Sequence, residues 1–561
     1  MVVKKTYKRI FKIVLIIFSI LAVLGGVFFF IVALHEPIIK NSAYYTSLKR
    51  DSINNGWTCG ANWIHKNDLG LYEMYLEGSP YERGYINGLL SQELVKRQED
   101  FFVGRLNQML PSSVHQYLLK MFVLWFNKDL DENIPEEYKE EIFGVSQFAS
   151  PDYSYIGVPY QRLLNYHGAH DIGHAMQNMN LVACSSFGLW NQYTKDSSIL
   201  IGRNFDFYAG DEFAQEKIVL FVRPDKGYNF MMVTWGGMTG VVSGMNEEGI
   251  TVTLNAAASD IPSASATPVS IVSRDILQYA KNIEGAFAIA LKYKSFVSES
   301  FMIGSANDHK VVIIEKTPDT TIMYSAPTDS RILCTNHFQS DYFLRDPINI
   351  KNMNESPTVH RFNRLNQLLP EKNQFTETTV ATVLRDRFGM NNTDIGMSNE
   401  NALNQLVAHH AIIFNPDKRM VWVSSNPYQL GAFAGYDLKK IFSKQFNIKN
   451  YPVVYESNRT IPADSFLFSS GYKNYVYYKQ IHRKMTESSY SAPLSDQEII
   501  SFLHSNPEYF ETYLLTANYY IEHLEYQKAL VLLKKAQTKV IPRKVDKDKI
   551  DNLIKMCTEH I

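Results

Sequence analysis

The 561-residue chain has little cysteine. Cys59, Cys184, Cys334 and Cys557 are too few and too far apart for a disulfide framework, although one bridge outside the cytoplasm stays open. None stands in a CxxC pair, and no Cys/His set has zinc-finger spacing. The sequence has no HExxH, and no phosphate-loop lysine follows the glycine-rich stretch Gly236-Gly237-Met238-Thr239-Gly240. Zincin-type and P-loop chemistry therefore have no support, and no metal or other cofactor is implied. Net charge is also lacking. Lys and Arg total 56 against 57 Asp and Glu, a balance of -1 that gives nucleic acid no electrostatic foothold.

Apolar residues make up 45% and charged residues 20%, enough to bury a sizeable core. Aromatics are abundant, with 34 Tyr and 33 Phe, which suits large buried sheets as well as an apolar substrate. The strongest single signal is N-terminal. A basic segment, 1–12, carries Lys4, Lys5, Lys8, Arg9 and Lys12 ahead of an uncharged apolar run, 13–34, long enough to span a bilayer as a helix. The positive-inside rule then keeps the N-terminus cytoplasmic and exports the rest, to a periplasmic or extracellular side. A cleaved signal peptide is the competing reading, although no A-x-A site follows the run.

Residues 35–75 read as a stalk and lead-in, and 76–183 as mostly helical, with apolar positions recurring at three and four. At Cys184 the pattern changes. Ser198–Phe207, Lys217–Arg223, Asn229–Trp235 and Ile250–Asn255 are strand-like, Pro268–Tyr293 reads as helix, and Ser300–Ile314 and Thr320–Tyr324 return to strand. His360–Leu369 and Thr378–Phe388 are helical. Ala411–Phe414 and Met420–Ser424 form a hairpin around Asn415-Pro416-Asp417-Lys418. This predicts an α+β fold with sheets stacked between helical layers and a core over 184–455. In the tail, 456–561, Pro507–Pro542 is placed much like one tetratricopeptide repeat, although a plain helical hairpin fits as well; such a tail could hold a protein partner.

Chemistry concentrates around Cys184, in Leu181-Val182-Ala183-Cys184-Ser185-Ser186-Phe187. A lone cysteine is usually a small buried hydrophobe. Here it is followed by Gly202-Arg203-Asn204-Phe205-Asp206, then by the turn Gly244-Met245-Asn246-Glu247-Glu248-Gly249 and a strand ending at Asn255, then by Thr335-Asn336-His337-Phe338. On a regular strand Arg203 and Asp206 point to opposite faces.

These motifs, in this order, resemble the acyl-coenzyme A:6-aminopenicillanic acid acyltransferase family, within the penicillin acyltransferase and choloylglycine hydrolase group of N-terminal-nucleophile hydrolases. Gly78-Ser79-Pro80-Tyr81-Glu82-Arg83-Gly84 with Gly88, and Asn415-Pro416 with Val421-Trp422-Val423, resemble further family motifs, so the likeness runs over about 76–437. The resemblance implies a four-layer αββα sandwich and self-cleavage between Ala183 and Cys184, with the lead-in kept as a subunit. The freed α-amine, with a reference pKa near about 8, would serve as base to its own thiol.

By the same resemblance Asp206 reaches the new amine, Arg203 lies by the thiol and favours thiolate, and Asn255 and Asn336 are active-site amides, Asn255 in the oxyanion hole. Arg361 resembles the family's later active-site arginine, but a solvated helix arginine fits its surroundings equally well. Asn246 is a candidate substrate contact. Ser185 and Ala183 depart from the residues usual beside the cysteine. The expected substrate is a small-molecule acyl amide, cleaved through a thioester; transfer of the acyl group to an amine is the alternative, and a non-catalytic anchored scaffold the alternative of another class. His167, His170 and His174 would share a helix face just before the junction, where packing near the active site, with assistance to self-cleavage left open, is a better reading than metal binding.

Overall fold

The computed structural model describes residues 2–561 except 111, 176–181, 208–209, 211, 259–264, 296, 327–329, 372, 444–447 and 449–452, and the side chains of 2–9, 169–175 and 182 also fall outside the described set. The chain opens with α1 (Val2–Ile31) and the short α2 (Ser42–Thr46). Ile10–Ile31 is long and apolar enough to cross a membrane, a test that a signal sequence also passes.

Strands β1 (Asp51–Ile53), β2 (Gly56–Cys59), β3 (Asn62–Lys66) and β4 (Tyr72–Gly78) follow, within the segment read from sequence as stalk and lead-in. They are too short and too mixed in pattern to announce themselves alone. Pairing supplies the stability they lack: β4 runs parallel to β7 (Ile218–Pro224), from Tyr72 opposite Ile218 to Gly78 opposite Pro224.

The helical lead-in comprises α3 (Pro80–Met109), α4 (Ser113–Phe126), α5 (Glu136–Ser146) and α6 (Pro159–Ala175). Ser79 caps α3 in a capping box with Glu82, and Pro80 takes the first turn, where its missing N–H costs nothing. Gly84 and Gly144 let α3 and α5 touch backbone to backbone: a Cβ on Gly84 would sit 1.9 Å from the Glu141 carbonyl oxygen. Beside that crossing the buried Glu141 carboxylate joins Arg83 of α3 at 2.9 Å and Arg274 at 3.0 Å. The Gly-Ser-Pro-Tyr-Glu-Arg-Gly lead-in motif is thus a cap, a close contact and a buried ion pair.

β5 (Val182–Asn191), β6 (Ser197–Phe207), β8 (Phe230–Thr234), β9 (Ser243–Asn246) and β10 (Ile250–Ala256) precede α7 (Val269–Tyr279) and α8 (Ile283–Lys292). The single helix expected over Pro268–Tyr293 is therefore two. Ala280 is extended, and the Asn282 side chain caps a new helix by accepting from Gly285 N–H at 2.9 Å. The long strand expected over Ser300–Ile314 is likewise two, β11 (Glu299–Ser305) and β12 (Lys310–Lys316), folded back through a turn with His309 at φ 46°. β13 (Thr321–Ser325), β14 (Arg331–Cys334), α9 (Pro347–Glu355), α10 (Thr358–Leu368), α11 (Glu377–Leu384), β15 (His410–Asn415), β16 (Met420–Ser424), β17 (Phe433–Asp437) and α12 (Leu438–Ile441) complete the core.

Among the described residues the strands form an eleven-stranded sheet, β1-β2-β3-β4-β7-β8-β9-β10-β11-β12-β13, and a six-stranded sheet, β14-β5-β6-β15-β16-β17. Alternation along the strands decides the layers. Val219, Phe221, Met231, Val233 and Ile313 of the larger sheet meet Ile201, Ile412, Phe414, Val421 and Val423 of the smaller one. The other face of the larger sheet, with Leu220, Met232, Leu254 and Ile314, packs under Val272 and Ile276 of α7 and Ala286 and Ala290 of α8. The outer face of the smaller sheet, with Phe187, Leu200 and Trp422, packs on Leu365 of α10 and Val380 and Leu384 of α11. Helices thus cover both outer faces of a mixed α/β core.

The tail, α13 (Ser470–Glu487), α14 (Asp496–Ser505), α15 (Phe510–Glu522), α16 (Tyr526–Gln537) and α17 (Lys544–Glu559), has an apolar core of its own. It is fastened to the main body where Asn506 exchanges hydrogen bonds with the Met397 backbone and Arg543 meets Glu400 at 3.0 Å.

Candidate active site

Cys184 lies near the start of β5, the second strand of the smaller sheet, completely buried, opposite Phe205 of β6. Paired residues in an antiparallel ladder share a face. Ser186 pairs with Arg203, so Cys184, Ser186, Arg203 and Phe205 look toward the larger sheet, while Ser185, Asn204 and Asp206 look toward α10 and α11. The opposed directions expected of Arg203 and Asp206 are what the ladder produces.

Arg203 is held from three sides. It donates to the carbonyls of Val242 and Leu254, to Ser243 Oγ, and to the Cys184 sulfur at 3.6 Å, with its guanidinium over the Phe205 ring. Behind it runs a chain that sequence reading missed. Arginine only donates, so Ser243 Oγ accepts from it and gives its own proton to His410 Nε2 at 2.9 Å. His410 then carries its proton on Nδ1, 2.9 Å from His409 Nδ1. Burial holds both imidazoles well below their ordinary pKa, and they stay neutral. The His409-His410 doublet was visible in the sequence, but without a spacing that tied it to Arg203.

Asn336 and Arg361 occupy the other side. Asn336 Oδ1 accepts from the backbone N–H of Cys184 at 3.0 Å, and its Nδ2 donates to the Ala256 carbonyl at 2.9 Å. Arg361 donates from Nη2 to Asn336 Oδ1 at 2.6 Å and from Nη1 to the Cys184 carbonyl and to Ser185 Oγ at 2.9 Å. It is fully buried in α10, so the solvated alternative is set aside. Thr358, also missed, orders this group: its Oγ1 accepts from Asn336 N–H at 2.8 Å and sits 2.9 Å from His337 Nδ1.

Asn255 Oδ1 accepts from Ser186 Oγ at 2.7 Å, and Nδ2 reaches the Cys334 carbonyl at 3.3 Å, leaving its second amide hydrogen uncommitted in these bonds. Asn246 lies apart from the cluster. Its amide binds the turn at Ile250 N–H and caps the α7 end through the Leu277 and Ala280 carbonyls, while Gly249 supplies the positive φ of the turn. His167 spends Nδ1 on the Leu163 carbonyl and Nε2 on Thr239, tying α6 to the glycine-rich loop; the side chains of His170 and His174 lie outside the described residues.

The electrostatics are those of a closed site. Burial pushes the Cys184 thiol up to about 11 despite Arg203 beside it, with Asp206 and Glu299 adding to the rise. The cation expected to favour thiolate is outweighed by desolvation. Burial also raises Asp206 to about 7, with Arg361 and Arg203 pulling it down. Neither Asp206 oxygen has a hydrogen-bond partner among the described residues. A buried carboxylate with no donor is costly unless a cation arrives.

An apolar pocket lies nearby, lined by Val95 and Phe102 of α3, Tyr166 of α6, Phe207, Phe213 and Trp235. Phe207 stacks on Phe205, the residue opposite Cys184.

Residues 192–426 match the acyl-coenzyme A:6-aminopenicillanic acid acyl-transferase family. The matched stretch begins just after Cys184 and takes in Arg203, Asp206, Asn255, Asn336 and Arg361. Similar proteins include an uncharacterized protein of Archaeoglobus fulgidus, 28% identical over 250 residues, covering 42% of this chain and 41% of that one. Protein dcd1A of Dictyostelium discoideum is 24% identical over 245 residues, covering 39% of this chain and 52% of that one. The chain thus spans about half the length, or less, of these relatives. Among solved structures, a Caenorhabditis elegans N-acylethanolamine-hydrolyzing acid amidase ortholog aligns at 16% identity and TM-score 0.30, over 42% of this chain and 93% of its own. A mutant conjugated bile acid hydrolase from Clostridium perfringens aligns at 13% identity and TM-score 0.30, over 46% and 93%. At those scores the family match and the local geometry carry the argument.

Proposed function

We propose that this chain is a membrane-anchored cysteine amidase that activates itself by cutting between Ala183 and Cys184. The observation that carries the reading is the arrangement around one residue: a thiol against Arg203, its backbone nitrogen on Asn336, and a buried carboxylate, Asp206, opposite Ala183 and without a hydrogen-bond partner among the described residues. Cutting the peptide bond turns the Cys184 nitrogen into an amine with a pKa near about 8, able to take the thiol proton near neutral pH. Asp206 is placed to balance the ammonium charge, and Arg203 to steady the thiolate. The thiolate then attacks an acyl carbonyl. The second hydrogen of Asn255 Nδ2 is the donor for the oxyanion, an interaction that lowers such barriers by ~2.7–4 kcal/mol. The amine leaves with the proton, and water releases the acid from the thioester. The pocket beside Phe207 and Trp235 favours an apolar acyl group. Transfer of the acyl group to an amine in place of water is the second reading, favoured by the family's named activity. Lys4, Lys5, Lys8, Arg9 and Lys12 in the first turns of α1 support a cytoplasmic N-terminus and an exported catalytic body.

The test is the intact mass of the purified full chain on denaturation, beside Cys184→Ala. Two chains are expected from the wild type, the second beginning at Cys184, and one chain from the variant. A folded wild type that stays whole rules out self-activation. The cleaved enzyme is then offered N-acyl amides of increasing chain length, with release of the amine as readout and an added amine acceptor to separate hydrolysis from transfer.

A further inference from the structure

Helix α4 presents its apolar face away from the protein. Val114, Tyr117, Leu118, Phe122 and Trp125 are each more than half exposed. They recur at helical spacing, so they form one stripe. A helix on a water-facing surface does the reverse, with its apolar stripe turned inward. The inward side of α4 is seated: Leu124 is buried, Phe126 packs on the core of the larger sheet, and Asn127 Nδ2 donates to Asn165 Oδ1 at 2.8 Å. The outward stripe is too large and continuous for ordinary surface.

Its position identifies what covers it. The Trp125 ring stacks on Phe28, centroids 6.1 Å apart and planes 16° from parallel, and Phe28 lies within the apolar span of α1. The end of that span is clamped to the body. The buried Val32 offers its carbonyl to Gln161 at 2.9 Å, and His35 N–H donates to Asp131 at 2.7 Å. A bilayer that holds Phe28 therefore reaches Trp125. Tyr155 and Val158, also more than half exposed, lie alongside, with Lys120 donating to the Tyr155 carbonyl. Trp, Tyr and Lys around an apolar face are the residues of a membrane–water interface.

We propose that α4 is a second membrane element, a helix lying in the plane of the outer interface with its apolar face among the acyl chains. It is held there beside the anchor and docks the catalytic body flat on the lipid. The proposal rests on the membrane placement of α1 and is independent of the amidase chemistry.

The experiment uses a Cys184→Ala background, which stays uncut; the three other native cysteines, Cys59, Cys334 and Cys557, are buried, so a single introduced cysteine accepts an NBD maleimide selectively. Three full-length variants are reconstituted in phosphatidylcholine–phosphatidylglycerol vesicles: Leu118→Cys in α4, Ile20→Cys in α1, and Val531→Cys, an exposed position in the tail helix α16. The Leu118 probe is expected to be quenched several-fold more by nitroxides high on the lipid acyl chains than the Val531 probe, and to resist external dithionite. If it behaves as the Val531 probe while the Ile20 probe is lipid-quenched, α4 is not a membrane element and the anchor stands. If neither the Leu118 nor the Ile20 probe meets lipid, the anchor fails and the proposal with it. If the Leu118 probe is quenched and the Ile20 probe is not, α4 meets lipid with no anchor beside it, and the proposal as stated, which seats α4 next to α1 in the membrane, is overturned. A Leu118 probe shielded from dithionite but unquenched by any lipid means that a protein covers α4, which also overturns the proposal.

Discussion

Asp206 stands directly opposite Ala183, the residue before Cys184, across the β5–β6 ladder. In the uncut chain its carboxyl is raised to about 7 by burial, from an ordinary 3.8. Between those pH values the folded chain binds a proton that the unfolded chain has lost, so stability falls as pH rises through the window. Urea unfolding of Cys184→Ala and of Cys184→Ala/Asp206→Asn, from pH 4 to 8, should show a decline in the first that is flatter in the second by up to a few kcal/mol. Parallel profiles would mean that Asp206 is not the group concerned.

Asp206→Asn alone should also slow self-cleavage and, in any cut fraction, amide hydrolysis, because the new ammonium loses its counter-charge. Time courses of intact mass and of amine release separate the two effects. Unchanged rates in both would remove Asp206 from the mechanism.

Arg361 bridges Asn336, Ser185 and the carbonyl of Cys184 with one planar fork. Lysine keeps the charge but not the fork. Arg361→Lys should therefore slow cleavage at least tenfold and leave a buried acceptor unsatisfied, at about 1–3 kcal/mol of stability. Mass analysis with denaturant titration checks both.

The Asn255→Ala enzyme, once cut, should lose about 10²–10³ in kcat with little change in KM, the pattern of a donor that acts on the transition state. A loss confined to KM would make Asn255 a substrate-binding residue.

Burial holds the Cys184 thiol up to about 11 in the uncut chain. Any variant that remains uncut should resist iodoacetamide at pH 7.5 while folded, and the cut enzyme should be alkylated at Cys184. Equal labelling of both would show that the lead-in does not shield the thiol.

The strands carrying Arg203, Asp206 and Asn255 were legible because β-branched and aromatic runs between turn residues are local signals, whereas β5, which carries Cys184, was not among the strands read. Arg361 was not decided by sequence, since its burial depends on α10 packing against β5, far away along the chain. Ser243, His410 and Thr358 act on Arg203 and Asn336 through tertiary contacts that no spacing records. Asn246 misled for a related reason: a turn asparagine looks the same whether its amide caps a helix or meets a ligand. β1–β4 were hidden because their order depends on partners in β7 and beyond, and a four-residue strand such as β2 has no period to read.

The parallel pairing of β4 with β7 has a consequence for the mature molecule. If α1 anchors the chain in a membrane and the chain is cut before Cys184, as proposed, α1 and Cys184 belong to different polypeptides. What keeps the catalytic half on its membrane is then a row of backbone hydrogen bonds and the packing around them, from Tyr72 opposite Ile218 to Gly78 opposite Pro224. The mature protein would be a heterodimer born from one gene product, whose two halves share one sheet and part only when that sheet unfolds.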